Sequence, residues 1–172
     1  MTAVDRRKHT LFSIAALVSA ILDQLTKVWA ADRLPPLGSR GLSVYGRHVV
    51  LVYARNPGVA FSGLQGLANG RILLSLLSLA ALALVVMYLR KLPSALRAHA
   101  LGLGLIFGGA LGNLIDRLRL GKVTDFVLVD TGFWPFNPWP VFNVADAALV
   151  IGIVLLALAT RFARAGAPAT PR

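Results

Sequence analysis

Val123-Thr124-Asp125-Phe126 opens, and Trp139-Pro140-Val141-Phe142-Asn143-Val144-Ala145-Asp146 closes, a stretch set between two apolar runs, one ending near residue 120 and the next starting at 144. If those runs are membrane helices, they emerge on the same side of the bilayer. Each then delivers one carboxylate, Asp125 or Asp146, to that side. The chain has only 7 acidic residues against 18 basic ones, so two acids at one level call for a physical reason.

Working outward, composition sets the class. Of 172 residues, 56% are hydrophobic and no long polar segment offsets them, which is too apolar for a soluble domain of this length. An integral membrane protein is the expectation. The net charge of +11 gathers at the ends of apolar runs, without a basic face interleaved with aromatics. Cationic loops beside anionic lipid account for it, and no nucleic acid is implied. With no cysteine, disulfides, thiolate nucleophiles and cysteine-ligated metals are excluded.

Four runs, at about 11–31, 72–89, 95–120 and 144–162, are long enough to cross a hydrocarbon core of about 30 Å as helices. Arg6-Arg7-Lys8 and the small Ala30-Ala31 also fit a cleaved signal peptide. Asp23, Gln24 and Lys27 would spoil its apolar region, so the first helix is kept. The expected fold class is membrane all-α: one integral-membrane domain over 1–172, with loops at about 32–69 and 121–143 and a disordered tail at about 163–172. In the first loop, Leu42-Ser43-Val44-Tyr45 and Val49-Val50-Leu51-Val52-Tyr53 are β-prone and predict a small sheet or hairpin at the membrane surface. Gly58 and Gly63 bracket Val59-Ala60-Phe61-Ser62, a turn leading into a short interfacial segment. In the third span Gly104, Gly108 and Gly112 fall four apart, a stripe that admits a neighbouring helix. Both termini and the link near 90–99 are short and arginine-rich, which predicts that they are cytoplasmic and that the two long loops are periplasmic.

Ionisable groups inside spans are costly and face partners or cavities. Asp23 lies about 18 Å beyond Leu11 along a helix, and Lys27 follows one turn later on the same face. Asn113, Asp116 and Arg117 stand at the outer end of the third span, and Asp146 at the outer end of the fourth. Asp23 with Lys27, and Asp116 with Arg117, are read as local ion pairs that ease their own burial. Asp125 and Asp146 have no such partner at helical spacing. Taken singly, Asp125 fits a solvated loop residue and Asp146 an acid favoured by the helix dipole at an N-terminus. Their shared depth fits a facing pair equally well. Two close carboxylates share a proton, so one takes a proton from water while the other donates to a carbonyl, hydrolysing a peptide without metal or covalent intermediate. His9, His48 and His99 are scattered without H-E-x-x-H, and no G-x-S-x-G elbow occurs.

Five blocks, in order across almost the whole chain, carry a resemblance: Asp23-Gln24-Leu25-Thr26-Lys27; Asn56-Pro57-Gly58-Val59-Ala60-Phe61-Ser62; Gly108-Gly109-Ala110-Leu111-Gly112-Asn113-Leu114-Ile115-Asp116-Arg117; Val123-Thr124-Asp125-Phe126; and Phe142-Asn143-Val144-Ala145-Asp146. Together they resemble the bacterial lipoprotein signal peptidases, or type II signal peptidases. The resemblance implies a four-span aspartic endopeptidase of the bacterial inner membrane with a small periplasmic β-element. It implies cleavage of diacylglyceryl-modified prolipoproteins just before the lipidated cysteine, near the periplasmic face. Asp125 and Asp146 match the family's catalytic pair. Asn56, Gly58, Asn113, Arg117 and Asn143 match site-lining positions, and Asp23, Lys27 and Asp116 structural supports. No cofactor or metal is expected; the partners are the prolipoprotein substrate and membrane lipid, and the chain is expected to act as a monomer. Two departures stand out. Val59 replaces a small alanine, and Trp134-Pro135-Phe136-Asn137 nearly copies the later Trp139-Pro140-Val141-Phe142-Asn143, of which only the second leads into Ala145-Asp146.

Two other classes compete. A small proton- or cation-coupled transporter would use intramembrane acids as a relay, but here the acids gather at one face and no inverted repeat is evident. A non-enzymatic assembly factor would use the glycine stripe and leave Asp125 and Asp146 idle.

Overall fold

The computed structural model describes residues 3–58, 70–93, 96–133 and 139–165. The segment expected at 59–62 and the Trp134-Pro135-Phe136-Asn137 copy lie outside them, as does the tail beyond 165. Helices α1 (Ala3–Arg33), α2 (Gly70–Lys91), α3 (Arg97–Leu120) and α4 (Val144–Ala165) are each long and apolar enough to cross a bilayer. A four-stranded antiparallel sheet completes the fold, so the membrane all-α expectation with a small β-element holds. Helix α4 continues through 163–165, which the reading of the sequence gave to the tail; alanine and arginine are strong helix formers.

The helices are packed inside out relative to a soluble bundle. On α1 the buried residues among those described are Lys8, Ala15, Ala16, Ser19, Ala20, Asp23, Lys27 and Ala30, small or polar without exception, while Leu17, Val18, Ile21, Leu25 and Val28 are exposed. Lipid tails are as apolar as leucine, so close packing of small residues and polar contacts hold such helices together. The α3 glycine stripe meets α1. A Cβ on Gly104 would come within 2.8 Å of Ala15 Cβ, one on Gly108 would strike Ser19 Oγ and the Ala16 carbonyl, and one on Gly112 would strike the Asp23 carboxylate. Gly102 and Gly152 approach each other in the same way and bring α4 to the other side of α3. At the opposite end of α1, Lys8 is buried and donates to the Leu92 carbonyl at 2.8 Å, closing the end of α2.

The sheet corrects the sequence reading of the second loop. Strands β1 (Leu42–Tyr45) and β2 (Val49–Asn56) form the expected hairpin, preceded by a 3₁₀ turn at Pro35–Arg40. Residues 123–129, read as loop, are instead strand β3 (Val123–Val129), paired to β2 and to β4 (Trp139–Phe142) in the order β1-β2-β3-β4. Val123-Thr124-Asp125-Phe126-Val127-Leu128-Val129 is rich in β-branched and aromatic residues, and that signal was present in the sequence. Gly121, left-handed at φ 76°, ends α3 by donating to the Arg117 carbonyl at 3.1 Å, so the chain turns at once into β3. The two long loops therefore contribute strands to one sheet. Phe126 packs on Ala30 and Leu34 and seats that sheet on the end of α1.

Candidate active site

Strand register brings the first pair of polar residues together. Ala54 lies opposite Asp125, so Asn56, two residues on and on the same face, is a diagonal neighbour of that carboxylate. Asn56 Nδ2 donates to Asp125 Oδ2 at 2.8 Å, and Asn56 Oδ1 accepts the Gly58 N–H at 2.8 Å. Gly58 thereby orients the amide that faces Asp125. The other oxygen, Asp125 Oδ1, accepts from Asn143 Nδ2 at 2.6 Å. Asp125 is 2% exposed, so the solvated-loop reading fails.

Asp146 stands three residues into the turn that starts α4. Its N–H donates to Asn143 Oδ1 at 3.0 Å, and its own Oδ2 accepts the Asn143 N–H at 3.2 Å, the reciprocal arrangement of a capping box. The helix-terminus reading of Asp146 is thus correct as far as it goes. Its remaining oxygen, Oδ1, accepts from Asn113 Nδ2 at 2.8 Å. Asn113 Oδ1 in turn accepts from Asn143 Nδ2 at 3.2 Å and from Lys27 Nζ at 2.8 Å. Two asparagines therefore join the carboxylates: Asn143 reaches both, and Asn113 holds Asp146.

Electrostatics distinguish the site from an ordinary buried network. Asp125 is raised from 3.8 to about 6, chiefly because burial disfavours its charge. Asn56 and Asn143 pull it back down, while the nearby Asp146 pushes it up. That places a carboxyl in the range where it holds or releases a proton near neutral pH. The Arg117 guanidinium is close enough to be attracted by Asp146, Asp125 and Asp116. It also bonds the Ser78 hydroxyl and the Asn113 carbonyl, each at 3.4 Å.

The expected pairing of Asp116 with Arg117 is not formed. Successive residues on a helix point about 100° apart, and Asp116 turns to α1, where it meets Lys27 Nζ at 3.3 Å. Lys27 also pairs with Asp23 at 2.9 Å, as its spacing predicted. Sequence reasoning missed Gln24, whose amide donates to Asp23 at 3.2 Å, the Gly112 carbonyl at 3.1 Å and Asp116 at 3.2 Å. A polar residue beside Asp23 within a span was the available signal. An apolar groove of about 300 Å³ is lined by Trp139, Phe142, Ala147, Val150 and Ile151 together with Asp146.

Known proteins resemble this chain in sequence and fold. The model of the family described as signal peptidase (SPase) II matches residues 15–162. A lipoprotein signal peptidase of Geobacter metallireducens is 42% identical over 150 residues, covering 87% of this chain and 90% of that one. One from Rhodococcus jostii is 42% identical over 163 residues, covering 90% and 74%. A solved bacterial membrane enzyme, 29% identical, superposes with a TM-score of 0.73 over 86% of this chain and 90% of the other. A second, 26% identical, reaches 0.76 over 92% of each.

Proposed function

Since the chain belongs to the signal peptidase II family, we propose that Asp125 and Asp146 cleave its substrates as a dyad sharing one proton. Membership itself makes the protein a multi-pass bacterial membrane peptidase that removes signal peptides from prolipoproteins. The transporter and assembly-factor readings fall with it.

The observation that carries the dyad is the tether through Asn143, which donates its side-chain amide to Asp125 and its backbone N–H to Asp146. Carboxylates held this near each other ionise one at a time. The ionised member takes a proton from water as the water oxygen attacks the scissile carbonyl, and the protonated member donates to the carbonyl oxygen. Collapse of the resulting diol breaks the C–N bond: one hydroxyl gives its proton to the ionised carboxylate while the leaving amine takes the proton of the other carboxyl, which restores the dyad with one proton. Asn56, Gly58, Asn113, Arg117 and Asn143 orient the carboxylates or face the substrate, and no metal or cofactor enters the reaction. The apolar groove that Asp146 helps to line supports a substrate whose acyl chains stay in lipid and whose scissile bond precedes the lipidated cysteine. Such anchoring orients the substrate before chemistry begins. The site faces the periplasm, both termini are cytoplasmic, and the chain acts as a monomer.

The test is cleavage of a diacylglyceryl-modified peptide by Asp125→Asn and Asp146→Asn at matched folded concentration. Asparagine keeps the size but cannot cycle a proton, so each variant should be inactive, and the double variant scarcely worse than either. Substantial turnover by Asp146→Asn would end the dyad reading.

A further inference from the structure

Asp23 and Asp116 are buried, and each spends an oxygen on a backbone N–H. Asp23 Oδ1 accepts from Ala145 N–H at 2.9 Å, and Asp116 Oδ2 accepts from Thr124 N–H at 2.9 Å. Ala145 immediately precedes Asp146, and Thr124 immediately precedes Asp125. The two carboxylates thus hold the main chain one residue before each member of the dyad, one at the start of α4 and the other at the start of β3.

Lys27 joins the two holds. Its ammonium has three protons and three partners: Asp23 Oδ2 at 2.9 Å, Asp116 Oδ2 at 3.3 Å and Asn113 Oδ1 at 2.8 Å. The third partner matters as much as the first two. Because Asn113 Oδ1 faces Lys27, its amide nitrogen must face Asp146, to which it donates. Lys27 is 4% exposed and Asp23 0%, so these bonds are made inside the protein. Gly112 admits the Asp23 carboxylate where any side chain would block it.

We infer that Lys27 is a positioning residue that sets the separation of Asp125 and Asp146, by tying together the two carboxylates that grip their preceding residues and by fixing the Asn113 amide. Simple neutralisation of buried acids accounts for a cation near Asp23 and Asp116. It does not account for both acids ending on the residues before the dyad, nor for the third bond to Asn113. Lys27 touches neither Asp125 nor Asp146 by hydrogen bond; its charge favours ionised Asp125 directly, and its positioning action runs through these neighbours. The inference rests on the dyad reading above.

The test uses the full-length protein in detergent with the diacylglyceryl-modified peptide. Lys27→Met should lower kcat per folded molecule by about 10²-fold, the loss expected for displacing reacting groups by roughly 1 Å, with KM little changed. Wild-type kcat in that variant would overturn the inference. Should Lys27→Met fail to fold, Asp23→Asn/Lys27→Met/Asp116→Asn removes the uncompensated charges together. It should recover folding while kcat stays low; recovery of kcat as well would return Lys27 to plain neutralisation. Lys27→Arg keeps the charge facing Asp23, Asp116, Asp125, Asp146 and Arg117, but a planar guanidinium cannot reproduce the three-way geometry. It should fold, turn over more slowly, and show a narrower pH–rate bell, because a looser dyad splits its two ionisations less. A bell of wild-type width and height would again overturn the inference. Asp146→Asn is run alongside: its inactivity keeps the dyad reading whatever Lys27 does, and its activity removes that reading first.

Discussion

Asn143 and Asp146 bond each other twice, Asp146 N–H to Asn143 Oδ1 at 3.0 Å and Asn143 N–H to Asp146 Oδ2 at 3.2 Å. One motif starts α4 and aims a carboxylate of the proposed dyad, so local helix chemistry and the proposed catalysis meet in the same four residues. The two roles separate by substitution. Serine caps a helix about as well as asparagine, whereas alanine forfeits about 1 kcal/mol. Asn143→Ser should keep most of the thermal stability that Asn143→Ala loses. Both should lose about 10²-fold in cleavage rate, because neither reaches Asp125 or Asn113. Melting and turnover measured on the same two preparations decide it. Activity that tracks melting temperature would contradict the separation.

Asp125 ties stability to pH. Its carboxyl titrates near 6 in the folded chain and near 3.8 when exposed, so the folded state holds the extra proton between those values. Stability from this group is full below about 3.8 and is lost as pH rises through about 6, on the order of 3 kcal/mol in all. Asp125→Asn has no such proton. Relative to the wild type, the variant should therefore gain stability by that order between pH 3.5 and pH 7.5, which denaturation in detergent at several pH values will measure. A constant difference across that range would mean that Asp125 is not held near 6.

The glycine stripe makes a packing prediction. Leucine at 108 would drive its side chain into the Ser19 hydroxyl and the Ala16 carbonyl, and the second of these is backbone that cannot swing aside. Overpacking of this kind costs about 1–3 kcal/mol or more, so Gly108→Leu should lower yield and melting temperature. Leu103→Ile, a near volume-conserving change at a buried position, should do little. Equal stability of the two variants would deny the stripe its role.

Membrane orientation is accessible to reporter fusions. Fusions after Arg90 and after Phe162 should report cytoplasm, and one near Gly46 should report periplasm, following the arginine-dense ends. A periplasmic signal after Phe162 would refute the four-span arrangement.

The helices could be read from the chain because a membrane span is a local property. About 20 apolar residues suffice to define one, and α1 to α4 each announce themselves that way. The capping box was local too, since Asn143 and Asp146 are three residues apart, and so was the Asp23–Lys27 pair at one helical turn. What joins residues distant in sequence was out of reach. Nothing in Val123-Thr124-Asp125-Phe126 says that β2 will lie beside it, since pairing register depends on where α2 and α3 return the chain. For the same reason the sequence suggested Arg117 as the partner of Asp116, its neighbour in the chain. Helix packing turned Asp116 to Lys27, 89 residues earlier, where α1 and α3 pack together. Sequence alone determined which residues had to be polar in a greasy chain and which apolar runs carry them. Only the tertiary structure decided which of them meet, because that is set by the approach of α1 to α3 and by the sheet that seats Asp125 above them.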